Sequence, residues 1–341
     1  MKIEVPLCAQ TVRDKINWRR ETLYTMLNKI IFLGTGAGMP TGKRNVPSVA
    51  VFLNEGGDFW LFDCGEGTQQ RIFAAGLKLS KLKAIFISHM HGDHLFGLPG
   101  LLATRGLQGI KGDIDIFGPV GLQAYLDNCF EYSKTHIPYS YYINEIKPEK
   151  YKMKKLLWTK YDFKVYCAVL NHKIDCFGYA VYEKFVKKNI LVHKLLKLGI
   201  APGPIYKKIK EKDRVILENG KMLKIDDFVK ESVIVRKICY CGDTMFSENA
   251  IELSKDADLL IHEATFSNEN KIEAKDSFHS TIEDAVIVAK SANVKRLVLN
   301  HFSPRYHKSK KFRHSWDKFK EEAIERYPGV FFAEDFLEIK I

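Results

Sequence analysis

The stretch SHMHGDH, residues 88–94, directly follows the apolar run AIFI and sets three histidines and an aspartate within six positions. In an extended segment alternate side chains face the same way, so His89, His91 and Asp93 share a face at the end of a strand. Gly92 permits a turn, and His94 points elsewhere as the chain enters the helix expected around 97–107. The stretch can therefore serve two ions, His89 and His91 on one, Asp93 and His94 on its neighbour. This is unlike H-E-x-x-H, whose two histidines share one helix face and one zinc. A single histidine is more often a hydrogen-bonded core or surface residue; four candidate ligands at this spacing demand a metal.

Such a cluster needs closing ligands from elsewhere. His172 in AVLNHKID, Asp243 in KICYCGDT and His301 in RLVLNHFSPRY each follow an apolar strand-like run. Strand ends are where α/β folds place reactive groups, because loops converge there while the sheet holds them rigid. Two shells can then close: His89, His91 and His172 around one ion, Asp93, His94 and His301 around the other, with Asp243 bridging. Imidazole and carboxylate donors at about 2.0–2.2 Å suit two zinc ions, with manganese or another divalent ion as the alternative.

The rest of the chain can build the required scaffold. Its 341 residues are 46% apolar, enough for a substantial core. Strands are expected near 28–33, 48–53, 58–62, 84–88, 113–117, 163–170, 177–182, 233–240, 259–262, 296–300 and 329–332, and helices over 67–75, 97–107, 120–129, 281–292 and 316–326. This mixture makes an α/β (α+β) protein whose sheets are covered by helices. No run reaches the roughly 18 apolar residues of a membrane span, and the charged N-terminus lacks an apolar signal region, so no membrane association is expected. Seven scattered cysteines without C-x-x-C spacing read as reduced thiols, and together these features imply a cytoplasmic protein. A formal charge of +12 favours a polyanionic partner, although lysine-rich solvated surfaces are common. Residues 1–25 read as an extension not native to the domain, with Met26 the natural start. Residues 182–214, lysine-rich and broken by APGP, read as a solvated helical excursion or a projecting arm.

These motifs resemble a family. H-x-H-x-D-H is shared across the metallo-β-lactamase superfamily, and FLGTGAGMPTGKRNVPSVAV, FDCGEGTQQRI, SHMHGDHLFGLPGLL, GIAPGPIYKKIK, CGDT, LLIHEATF, FHSTIEDA and NHFSPRY resemble the ribonuclease Z family of tRNA 3′-processing endonucleases from about Met26 onward. The resemblance implies an αββα sandwich of two packed mixed sheets, spanning residues 26–341, with a basic exosite arm inserted at about 183–212. It implies hydrolysis of pre-tRNA 3′ of the discriminator nucleotide, leaving a 3′-hydroxyl on tRNA and a 5′-phosphate on the trailer. It also implies a homodimer in which one subunit's arm serves the other's site.

Two cations about 3.5–4 Å apart can activate a water and hold the charge of an in-line phosphoryl displacement. Asp93 then ligates the second ion and orients or deprotonates the water, and His279 of FHST, at the family's histidine position, protonates the leaving oxygen. His262 and Glu263 of HEAT, with Asp63 of the DCGEGT turn, are expected to support the ligands. Substrate RNA is expected at Lys43, Arg44 and Asn45 of the glycine-rich loop, at Arg305, and at Gly203, Pro204, Lys207 and Lys208 of the arm, whose lysines also include 184, 187, 188, 194, 197 and 210. Against the family pattern, KFVKKNILVHKLLKLG lacks an acidic proline-glycine stretch after the strand. The alternatives are a small-molecule lactonase, thioesterase or phosphodiesterase on the same scaffold, and an RNA-binding protein without catalysis.

Overall fold

A computed structural model describes residues 25–211, 214–217, 220, 222–306 and 315–341. All of the expected N-terminal extension but Thr25 lies outside the described residues, as do the side chains of Lys187, Lys188 and Lys210. The chain opens with β1 (Thr25–Gly34), β2 (Ser48–Asn54), β3 (Phe59–Phe62), α1 (Thr68–Ala74), β4 (Leu82–Phe86), α2 (Gly92–Leu95), α3 (Leu98–Leu107), β5 (Ile114–Pro119), α4 (Leu122–Ser133) and β6 (Tyr141–Ile146). There follow β7 (Lys155–Lys160), β8 (Phe163–Val169), β9 (Phe177–Ile190), α5 (Val192–Leu196), α6 (Pro204–Glu211), β10 (Arg214–Ile216), β11 (Met222–Lys224) and β12 (Val229–Cys241). The C-terminal part supplies α7 (Glu248–Ser254), β13 (Leu259–Glu263), α8 (Lys271–Asp276), α9 (Ile282–Ser291), β14 (Leu297–Asn300), α10 (Trp316–Arg326), β15 (Phe331–Phe332) and β16 (Glu338–Lys340).

These strands form two mixed sheets of seven, in the orders β16-β1-β2-β3-β4-β5-β6 and β15-β14-β13-β12-β9-β8-β7. The pairs from β3 to β6 and from β12 to β15 are parallel, so their carboxyl ends lie together within each sheet. Period-2 alternation decides what each face of the first sheet buries. Ile30 and Phe32 of β1 and Ala84 and Phe86 of β4 join the large inter-sheet core, whereas Ile31, Leu33, Ile85 and Ile87 pack with Leu98, Leu101, Leu102, Leu122 and Leu126 of the covering helices. Inside, Phe86 stacks on Phe62 at 4.9 Å and on Phe117 at 5.0 Å, while Tyr179 of β9 approaches it from the second sheet at 5.4 Å. The expected sandwich of two packed mixed sheets is therefore present.

The chain divides into two compact units, one being Glu183–Arg236 and the other the remainder. The smaller unit is not the helical excursion that its lysines suggested, nor does it end near 212. β9 continues to Ile190, β12 begins at Val229, and the α5, α6 and β10–β11 elements between them close over Leu195, Ile209, Val215 and Leu223.

Candidate metal centre

Each ligand candidate leaves the carboxyl end of a strand or the loop beyond it. His89 and His91 lie past the end of β4, and Asp93 and His94 sit in the single turn α2. The local reading of SHMHGDH as an extended segment is thus corrected: the chain turns helical at Gly92, which separates Asp93 and His94 from the first two histidines. His172 follows β8, Asp243 follows β12, and His301 follows β14 with a left-handed φ of 59°. Asp63 and Phe278 are also left-handed, at 56° and 59°, a cluster of uncommon backbone conformations at the edge where these side chains meet.

The structure gathers all seven into two sets. His91 Nδ1 is 3.0 Å from His89 Nε2 and 3.2 Å from His172 Nε2. Asp93 Oδ2 is 3.5 Å from both His94 Nε2 and His301 Nε2, which are 3.4 Å apart. Asp243 stands between them: its Oδ2 is 3.6 Å from His89 Nε2, and its Oδ1 is 3.4 Å from His94 and from His301.

Outer hydrogen bonds explain why the ring nitrogens face inward. His94 Nδ1 donates to Asp63 Oδ2 at 2.7 Å, and His172 Nδ1 donates to the Phe278 carbonyl at 2.8 Å. Ser88 Oγ donates to Asp63 at 2.8 Å, so it accepts from His89 Nδ1 at 2.9 Å. Thr265 Oγ1 donates to Glu263 Oε2 at 2.5 Å, so it accepts from His301 Nδ1 at 2.8 Å. With their Nδ1 atoms committed outward, the Nε2 atoms of His89, His94, His172 and His301 face the interior, and the ring nitrogens there stand 3.0–3.4 Å apart, a spacing that fits cations between them. The donor set of imidazoles and carboxylates fits divalent ions.

Charge coupling divides the histidines: burial opposes charge on His94, yet Asp243, Asp63 and Asp93 raise it well above the ordinary imidazole range, a proton that a cation would replace. Burial lowers the basicity of His89, His91 and His172, keeping them neutral donors. Burial would raise Asp243, but His301 and His94 hold it well below the ordinary carboxylate range. Asp93 is likewise held low by His94 and His301 against its burial.

Glu263 is a second hub. Its Oε1 accepts from Thr244 N at 2.7 Å and His279 Nδ1 at 2.9 Å, and its Oε2 from Thr265 Oγ1 and Ser280 N. Burial opposes charge on His279, yet Glu263 and then Asp243 raise it to about 9. His279 Nδ1 is 3.8 Å from Asp243 Oδ2, so the ring borders the ligand sets. His262 is buried: its Nδ1 donates to the Glu263 carbonyl, and among the described residues its Nε2 has no partner. Ser88, Thr265 and Tyr240, which donates to Asp63 at 2.5 Å, were not legible as site residues, since hydroxyls carry no spacing signal. All three lie inside quoted motifs, SHMHGDH, KICYCGDT and LLIHEATF, yet nothing in those motifs marks the hydroxyl.

Several expected RNA contacts have other partners. Arg44 lies 4.6 Å from the Phe302 ring and 4.8 Å from the Trp316 ring, and its Nη1 donates to Thr35 Oγ1 and the Ala333 carbonyl, so its guanidinium braces the loop. Asn45 donates its side-chain amide to Glu66 O and its backbone N–H to Asp335. Arg305 bonds Ser303 and lies over Phe266. Lys43 is exposed, as are Gly203, Pro204, Lys207 and Lys208 in the smaller unit. Gly65 serves a close approach: a Cβ there would meet the Asp93 carbonyl at 2.0 Å. Gly67, with φ of 77°, supplies the turn into α1.

Comparison with known proteins decides the family. The chain is 42% identical to ribonuclease Z of Acaryochloris marina, over 92% of this chain and 97% of that protein. The chain belongs to the ribonuclease Z family. It is also 39% identical to ribonuclease Z of Bacillus subtilis over 92% of this chain and 99% of that one. The crystal structure of the short form of human tRNase Z matches with a TM-score of 0.64 and 32% identity, covering 91% of this chain and 98% of that one. A beta-lactamase superfamily domain model matches residues 231–302, and the model of the Anti-Pycsar protein Apyc1 matches residues 28–138. With this fold and donor set the family member is a divalent-metal hydrolase. Among the described residues no helix is long and apolar enough to cross a membrane.

Proposed function

We propose that this endoribonuclease of tRNA 3′ processing uses two divalent cations, zinc by preference, to cut pre-tRNA just 3′ of the discriminator nucleotide. The observation that carries the reading is Asp243, whose two oxygens face two separate sets of imidazole nitrogens. His89, His91 and His172 would hold one cation, Asp93, His94 and His301 the other, with Asp243 shared. Such a pair supplies a water of lowered pKa and neutralises charge growing on the phosphate.

The remaining work belongs to the side chains. Asp93, whose Oδ2 is held by the Gly38 N–H at 2.8 Å, orients the attacking water or takes its proton. The P–O3′ bond breaks, and the departing 3′-oxygen needs a proton. His279 delivers it from Nε2, because Nδ1 is committed to Glu263 Oε1. Glu263 fixes this ring and, through Thr265, the ring of His301, so acid and ligand share one anchor. Products are tRNA with a 3′-hydroxyl and a trailer with a 5′-phosphate.

The basic unit Glu183–Arg236 is read as the exosite arm, with exposed Lys207 and Lys208 along the RNA backbone. A cytoplasmic homodimer completes the reading, with light scattering the check on assembly. The small-molecule alternative is not favoured, since ribonuclease Z relatives align over nearly their whole length.

Incubating the protein with trailer-bearing pre-tRNA, with and without chelator, and mapping the new ends tests the proposal. A single cut after the discriminator, abolished by chelator and restored by zinc, is expected. Cleavage indifferent to chelator, or a 2′,3′-cyclic phosphate end, would overturn it.

A further inference from the structure

The backbone around Asp93 carries two apolar side chains that the fold leaves open to water. On one side, the Gly38 N–H bond to Asp93 Oδ2 draws the glycine-rich loop onto the ligand, and the next residue, Met39, is 57% exposed. On the other, Phe96 is 63% exposed and its ring lies over Gly92, where a Cβ would come within 2.1 Å of ring Cε2. Glycine is needed at 92 for the ring, not for the turn, since Gly92 is not left-handed. A phenylalanine left this open forgoes most of the stabilisation its burial would bring. A scattered exposed apolar residue is ordinary. Two of them, one beside the glycine that bonds Asp93 and one three residues after Asp93, next to a centre built from charged and polar groups, form a different surface.

We propose that Phe96, with Met39, is a stacking subsite for the nucleobase adjoining the scissile bond. A phosphate that reaches Asp93 carries a nucleoside on either side, and Phe96 is only three residues along the chain. An aromatic face accepts any base, because every base has a π-face to offer, and a thioether packs well on ring edges. Phe96 acts here as a binding residue that sets the pose of the splayed nucleotide, with no part in proton transfer. The inference rests on the proposed role of Asp93 at the cut.

Pre-tRNA carrying 2-aminopurine as either the last retained or the first removed nucleotide tests it, with base fluorescence followed in stopped flow before cleavage. Quenching at one of the two positions is expected for the wild-type metalloenzyme. Phe96→Ala should abolish that quenching and raise KM about 5- to 100-fold, while Phe96→Trp restores both and Phe96→Leu restores neither. Metal content, measured for every variant, is expected to match wild type, consistent with a side chain outside the ligand set. Unchanged quenching and KM in Phe96→Ala, or full restoration by leucine, would overturn the stacking subsite alone. A wild-type enzyme that fails to cut the RNA would instead overturn the proposed function.

Discussion

The metal centre and the unit Glu183–Arg236 are held together in opposite ways. At the centre, His89, His94, His172 and His301 each have one ring nitrogen fixed by an outer partner, and Asp63 and Glu263 each gather several donors. In the smaller unit, among the described residues, Leu195, Ile209, Val215 and Leu223 make the buried core, and Lys207 and Lys208 reach into water. Moving a proton and an oxygen requires groups placed to within about 0.5 Å. Neutralising a phosphate backbone requires only charge within about a Debye length of 8–10 Å. The difference teaches where substitution should be sharp and where it should be graded.

The largest effect is expected for Asp243→Ala, which removes the one side chain common to both ligand sets. Activity should fall below detection and both cations should leave together, as read by elemental analysis. Next comes His279→Ala, which should retain metal yet slow kcat by about 10²–10⁴; an unchanged rate would remove His279 from the acid role. Glu263→Gln sharpens the point through pH. Burial opposes charge on His279, but Glu263 together with Asp243 raises it to about 9, so the acid is charged below that value and the rate falls as pH rises through it. Without the carboxylate the alkaline limb of kcat/KM should move to lower pH, and a limb that stays put contradicts the coupling. The smallest effect belongs to the smaller unit: Lys207→Ala or Lys208→Ala should weaken RNA binding modestly and reduce its salt slope by about one unit per contact. A loss as abrupt as that of Asp243→Ala would break the comparison.

The same contrast governs what could be read from sequence. The residues that meet at the centre were legible because metal chemistry admits few donor types and α/β folds put them after strands: His172, Asp243 and His301 announce themselves by following apolar runs. The bracing role of Arg44 was not legible because its partners, Phe302 and Trp316, come from the far end of the chain. Nothing in TGKRN reveals that two rings will occupy its guanidinium. Strands β6, β7 and β16 went unseen because they are edge or near-edge strands rich in lysine, tyrosine or glutamate, the residues that blunt an exposed edge and also erase its apolar signature. The extension of β9 past Tyr182 was hidden likewise, since EKFVKKN reads as a charged surface helix.

The central claim is that two cations share Asp243. Elemental analysis of the active, freshly purified protein tests it most directly. The account predicts two divalent transition-metal ions per chain, both lost in Asp243→Ala. One ion per chain, or a full complement kept by that variant, would contradict it.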